Sequence, residues 1–139
     1  MSLRVHAASV AIGRCFARDV VSGHSDDDHA YTIALLVSEL LTNALRAAAA
    51  VGEWEPQDRP VKLGVLSTER WVRLSVTDPD PNPIDPGARP ENGYGLGIVN
   101  TLAALPLWTT HAADSKTVHV AVAAPGITLT AAELQALRC

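Results

Sequence analysis

Hydrophobic and polar positions change period several times along the chain. From Ala7 to Val21, apolar Val10, Phe16, Ala17 and Val20 predict a first helix, ended by Ser22-Gly23. Ser25-Asp26-Asp27-Asp28 then supplies an N-cap and acidic first-turn residues for a longer helix from about His29 to Ala50, stopped by Gly52 and Pro56. On it, Ile33, Val37, Leu40, Leu41 and Ala44 form one stripe directed at a core. Val61–Leu66 and Trp71–Thr77 alternate apolar and polar residues around Ser67-Thr68-Glu69-Arg70, as an antiparallel hairpin does.

Asp78 to Asn92 holds five prolines and no periodicity, which predicts a loop, and loops of that length are often functional. Leu96 to Leu105 reads as a short helix entered through glycines and closed by Pro106. Leu107–Ala112 and Lys116–Ala123 form a second hairpin around Asp114-Ser115. Thr130 and Glu133 make a capping-box pattern for a terminal helix to Arg138. Hairpin-linked strands with helices grouped between them imply an α+β sandwich, one sheet covered on one face by helices, rather than alternating parallel units.

A length of 139 residues with 47% apolar residues suits one domain with its own core. The formal charge of −4 comes without a run of Lys or Arg, so neither nucleic acid nor an anionic membrane is an expected direct partner. No apolar run is expected to span a bilayer, and the start of the chain does not read as a signal peptide, so the expected location is cytoplasmic. Cys15 and Cys139 are too few for a disulfide framework, and the five histidines have no metal-ligand spacing.

Chemistry concentrates in Ser38-Glu39-Leu40-Leu41-Thr42-Asn43-Ala44 and Gly93-Tyr94-Gly95-Leu96-Gly97-Ile98. Glu39 and Asn43 share a helix face away from the apolar stripe, and Arg46 joins them. Carboxylate, amide oxygen and guanidinium together can orient a nucleophile, hold Mg²⁺ through hard oxygens and meet a phosphate. A solvated helix face explains the same residues when each is taken alone. The three glycines bring free N–H groups to a helix entry where an anion can sit. Their spacing fits neither the dinucleotide fingerprint nor a P-loop. Asp78, where Val72-Leu74-Val76 runs out, can accept a hydrogen bond from the exocyclic amine of a base, or merely open a turn before proline.

Taken in this order, these elements with Val76-Thr77-Asp78 and Lys116-Thr117-Val118 resemble the GHKL, or Bergerat-fold, ATP-binding domains. Within that superfamily the chain is similar to small stand-alone anti-sigma-factor serine/threonine kinases, over roughly Ala8 to Ala124. The resemblance implies a two-layer sandwich with a mixed, mostly antiparallel sheet, and ATP with Mg²⁺ as ligands. It implies Glu39 as general base and Asn43 as magnesium ligand. Arg46 would stand near the phosphates, Asp78 on the adenine amine, Gly93, Gly95, Leu96 and Gly97 beside the phosphates and lid, and Thr117 near the adenine. By analogy the partners are a small antagonist protein carrying the acceptor Ser/Thr hydroxyl and a sigma factor; a homodimer is compatible with it. One departure stands out: Asp78-Pro79-Asp80-Pro81 puts Asp80 where the family usually has glycine, adding negative charge at the nucleotide mouth. That departure opens a second reading, a non-catalytic module whose nucleotide occupancy governs a protein contact. The catalytic domain of a split histidine kinase fits less well, for want of a phospho-acceptor helix.

Overall fold

The computed structural model describes residues 1–23, 26–83, 99 and 101–138. In chain order these form β1 (Ser2–Leu3), α1 (Ala8–Val21), α2 (Asp27–Val51), β2 (Val61–Ser67), β3 (Trp71–Asp78), β4 (Trp108–His111), β5 (Lys116–Ala123) and α3 (Ala131–Leu137). The sheet runs β1-β2-β3-β5-β4, and each neighbouring pair is antiparallel. The expected α+β sandwich is therefore the observed one. The two-residue β1 was not anticipated; it pairs Ser2 with Lys62 and Leu3 with Val61 at the sheet edge.

Alternation along the central strands decides which face carries the core. Val72, Leu74 and Val76 of β3 and Val118, Val120 and Val122 of β5 are buried on one face. Against it lie Ile33, Val37, Leu40, Leu41, Ala44 and Ala48 of α2, all buried. Each fully buried Val, Leu or Ile side chain contributes about 1.5–3 kcal/mol of transfer free energy, so this α2–sheet contact is a large contributor to stability. α2 has 25 residues and is long and apolar enough, by length and composition, to cross a bilayer, contrary to the sequence expectation. Its apolar stripe is spent on the sheet instead, which identifies it as the core helix of this fold.

α2 starts where Asp26 accepts a hydrogen bond from the His29 backbone N–H at 2.8 Å. At its other end, the Trp54 indole N–H donates to the Ala48 carbonyl at 2.8 Å, satisfying one of the last-turn acceptors. The capping box of α3 is complete, with the Glu133 N–H on Thr130 Oγ1 and the Thr130 N–H on Glu133 Oε1. Arg70, in the β2–β3 turn, donates through Nε and Nη2 to both Glu133 carboxylate oxygens, at 2.7 and 2.9 Å, and holds Glu133 down to about 2.

His29, one turn into α2, is buried, and that burial holds its imidazole below 6.5, with Asp26 opposing more weakly. The positive end of α2 also disfavours a cation there. Folding therefore favours the neutral ring. The resulting stability is complete above 6.5 and is lost as pH falls through 6.5 and the lower folded value. Thermal denaturation between pH 7.5 and 5 should show falling stability, and His29→Gln should flatten that fall; an unchanged slope would remove His29 from the account.

Candidate functional site

The flank of α2 turned away from the apolar stripe carries Glu39 and Asn43, both half-buried, and exposed Arg46. Next to Glu39 in the chain, Ser38 Oγ donates to the Ala34 carbonyl at 2.9 Å and accepts from Arg14 Nη1 of α1 at 3.3 Å. Partial burial raises the Glu39 carboxyl above its ordinary value, and the Arg46 charge pulls it partly back. A carboxylate with a raised pKa beside a positive group is the environment in which a general base works near neutral pH.

Packing sets the level of this flank along the sheet. α1 crosses α2 at Gly13, where a Cβ would collide with Leu41 Cδ1 and come within 3.3 Å of Leu63 Cδ2 and 3.5 Å of Val37 Cγ1. Leu63 is paired with Val76, two residues before Asp78. The Val37–Leu41 turn of α2, to which Glu39 belongs, is therefore level with the Leu63–Val76 pair of the sheet.

Asp78 is the last residue of β3, in phase with Val72, Leu74 and Val76, so its side chain is buried on the helix-covered face at 3% exposure. Directly across in β5 is Lys116, itself 5% exposed and in phase with Val118 and Val120. Its Nζ donates to Asp78 Oδ1 at 3.1 Å and to the Asp80 carbonyl at 3.0 Å. The Asp80 N–H also donates to Asp78 Oδ1, at 2.8 Å. Burial pushes the Asp78 carboxyl up, while the Asp80 N–H and Lys116 counteract it. The ammonium at salt-bridge distance favours the ionised form of the group. Sequence reasoning gave Lys116 no role, although its strand phase signals a buried cation that must find a carboxylate.

Asp80, the departure in the motif, is tied into its own turn. Its Oδ1 accepts from the Asn82 N–H at 3.0 Å and from Asn82 Nδ2 at 2.8 Å. Its backbone serves Asp78 and Lys116, and the Lys116 ammonium bridges the Asp78 carboxylate and the Asp80 carbonyl.

Thr117 does not join Asp78. Strand alternation turns it to the opposite sheet face, where its hydroxyl and that of Thr77 are 2.8 Å apart. On that same open face Trp108 stacks on His119 at 5.2 Å, the Thr110 hydroxyl meets His119 Nε2 at 3.0 Å, and the Arg138 guanidinium lies 6.0 Å over the Trp108 ring. Gly93, Gly95, Leu96 and Gly97, with most of the proline-rich loop, lie outside the described residues. Of the helix expected over Leu96–Leu105, Val99, Thr101 and Leu102 are described as helical, and the Ala103 N–H donates to the Val99 carbonyl at 3.0 Å.

An open groove of about 400 Å³ runs between the start of α1 and the last turns of α2, lined by Val5, His6, Val10, Leu45 and Arg46 among others. Arg46 is on its border with the Glu39–Asn43 flank, whereas Glu39, Asn43 and Asp78 do not line it. Among the described residues no three His, Cys, Asp or Glu side chains converge as a metal cage. The donor set on α2 suits an ion that arrives with phosphates, because Mg²⁺ takes only one or two protein oxygens in such sites. Asn43 offers an amide oxygen of that hard type.

The model of the histidine kinase-like ATPase domain matches residues 4–122, and the chain belongs to that family. It is thus a GHKL-type ATPase domain, as the paired motifs implied. No curated protein sequence matches the chain. Among solved structures, it is similar to the crystal structure of the RsbU and RsbW domains of Rv1364c from Mycobacterium tuberculosis, with a TM-score of 0.59 and 14% identity. The likeness covers 94% of this chain and 34% of that one, so this chain spans about a third of that protein, and at this identity it shows the shared fold.

Proposed function

We propose that this chain is an ATP-dependent serine/threonine protein kinase of the anti-sigma-factor type, acting in the cytoplasm through residues 1–139 as one ATP-binding unit. The observation that carries it is the half-buried Glu39, its carboxyl raised by burial and opposed by the Arg46 charge, on the same helix flank as Asn43. In this reading, Asp78 accepts from the adenine amine and Arg46 meets the phosphates. Gly93, Gly95, Leu96 and Gly97 furnish the phosphate loop. Asn43 would hold Mg²⁺, which offsets the charge of the triphosphate when bound. Glu39 orients the acceptor hydroxyl and takes its proton as the new O–P bond forms and the bond from Pγ to the bridging oxygen breaks, releasing ADP. The acceptor is a Ser or Thr of a small antagonist protein, and a sigma factor is the sequestered partner.

The reading as a non-catalytic module is favoured by one observation: Lys116 and the Asp80 N–H already occupy Asp78 Oδ1. Calorimetric titration with ATP and Mg²⁺ separates the two. The kinase reading expects binding at sub-millimolar nucleotide, weakened about tenfold or more by Asn43→Ala, and Mg²⁺-dependent transfer from γ-labelled ATP to an antagonist protein. No binding by the wild type at millimolar ATP would sink it; binding without transfer would favour the module.

A further inference from the structure

Lys116 is a buried cation that the proposed chemistry leaves without a function. Among the described residues, both donors to the Asp78 carboxylate, Lys116 Nζ at 3.1 Å and the Asp80 N–H at 2.8 Å, converge on Oδ1. The same ammonium grips the Asp80 carbonyl at 3.0 Å. Three contacts thus fix the rotation of one carboxylate and close the Asp78-Pro79-Asp80 turn around it. Two donors on Oδ1 direct the other oxygen, Oδ2, to a ligand. An ionised carboxylate can only accept, whereas a protonated one donates from one oxygen.

From this geometry we infer that Lys116 is the positioning residue for base recognition: it clamps Asp78 as a fixed, acceptor-only group and thereby selects purines that carry a 6-amino donor over 6-oxo purines. The inference rests on the ATP reading above. It turns the Asp78-Pro79-Asp80-Pro81 departure into a working part of the site, since the Asp80 N–H and carbonyl serve the clamp while its carboxylate is occupied by Asn82. Among the described residues, the charged groups that face Asp78 are Lys116 from β5 and Asp80 from the turn. A 6-oxo purine would set its carbonyl oxygen against Oδ2, lone pair against lone pair. A hydrogen bond to a charged acceptor distinguishes such ligands by about ten- to a hundredfold.

Two measurements on the full chain test this. The first compares affinities for ATP and for inosine triphosphate, which replaces the 6-amino group by oxygen, in wild type, Lys116→Met and Lys116→Arg. The wild type should prefer ATP by about tenfold or more. Lys116→Met should bring the ratio near one, and Lys116→Arg, which retains the cation, should restore most of it. The second needs no nucleotide: the Asp78 carboxyl is titrated by ¹³C NMR, and its midpoint should move up in Lys116→Met and return toward the wild-type value in Lys116→Arg. An unchanged ATP preference together with an unchanged Asp78 midpoint in Lys116→Met overturns the inference. If the wild type binds no nucleotide, the ATP reading fails on its own, and the carboxyl titration still decides the clamp. Should Lys116→Met not fold, Lys116→Gln keeps a donor, drops the charge and carries the same expectations.

Discussion

Glu39→Gln is expected to slow phosphoryl transfer to a protein hydroxyl by about 10²–10⁴-fold, the usual contribution of a positioned general base, while ATP affinity stays within a few-fold of wild type. The substitution keeps the shape and the half-buried site on α2 and removes only the group that can take a proton. Single-turnover transfer from labelled ATP measures the rate, and calorimetry measures the affinity. The pH dependence has a definite sign. The base acts when ionised, and partial burial raises the Glu39 carboxyl above 4.5 against the smaller pull of Arg46. Transfer should therefore rise with pH through that raised value and level off above it. Arg46→Ala removes the opposing pull, so it should move the rise to higher pH. A Glu39→Gln variant with an undiminished rate would remove the carboxylate from the chemistry and leave the fold without a base at this position.

What could be read from the sequence follows the length and regularity of each element. α1, α2, β2, β3, β5 and α3 were legible because each carries several residues of one period, and Asp26 and Thr130 cap as their side chains dictate. β1 was not, since two residues contain no period, and what fixes it is pairing with Val61 and Lys62 far along the chain. The family was legible from paired motifs, because Glu39 with Asn43 and Asp78 with the glycines constrain one another more than any of them does alone. The position of Thr117 has a simple origin. A motif read as a string, Lys116-Thr117-Val118, ignores that neighbours in a strand face opposite sides. Counting outward from buried Val118 and Val120 puts Lys116 on the helix-covered face and Thr117 on the other, where Thr77 meets it. The meeting of Lys116 with Asp78 additionally required the β3–β5 register, a tertiary fact that no local pattern contains.

That register also yields the largest expected loss of stability. Asp78→Ala should destabilise the fold by about 3–5 kcal/mol, because it strands the Lys116 ammonium, 5% exposed, without its carboxylate. Against a total of about 5–15 kcal/mol for a domain, this is a large fraction. Joining Lys116→Met to Asp78→Ala removes both charges from a site bordered by Val76 and Val118, so the double variant should be more stable than Asp78→Ala alone. Apolar replacement of a buried pair is often neutral, because the desolvation cost of both ions disappears with their attraction. Urea unfolding of the four proteins, with slopes checked for constancy, gives the coupling directly; about 2 kcal/mol or more is expected for groups in contact. Additive losses would mean that Asp78 and Lys116 are each solvated independently, and the buried pair would then contribute neither stability nor a fixed carboxylate. Strong coupling with little gain in net stability would instead mark the pair as retained for what it orients at the end of β3, at the expense of an apolar core that this sheet could otherwise have extended by one more layer.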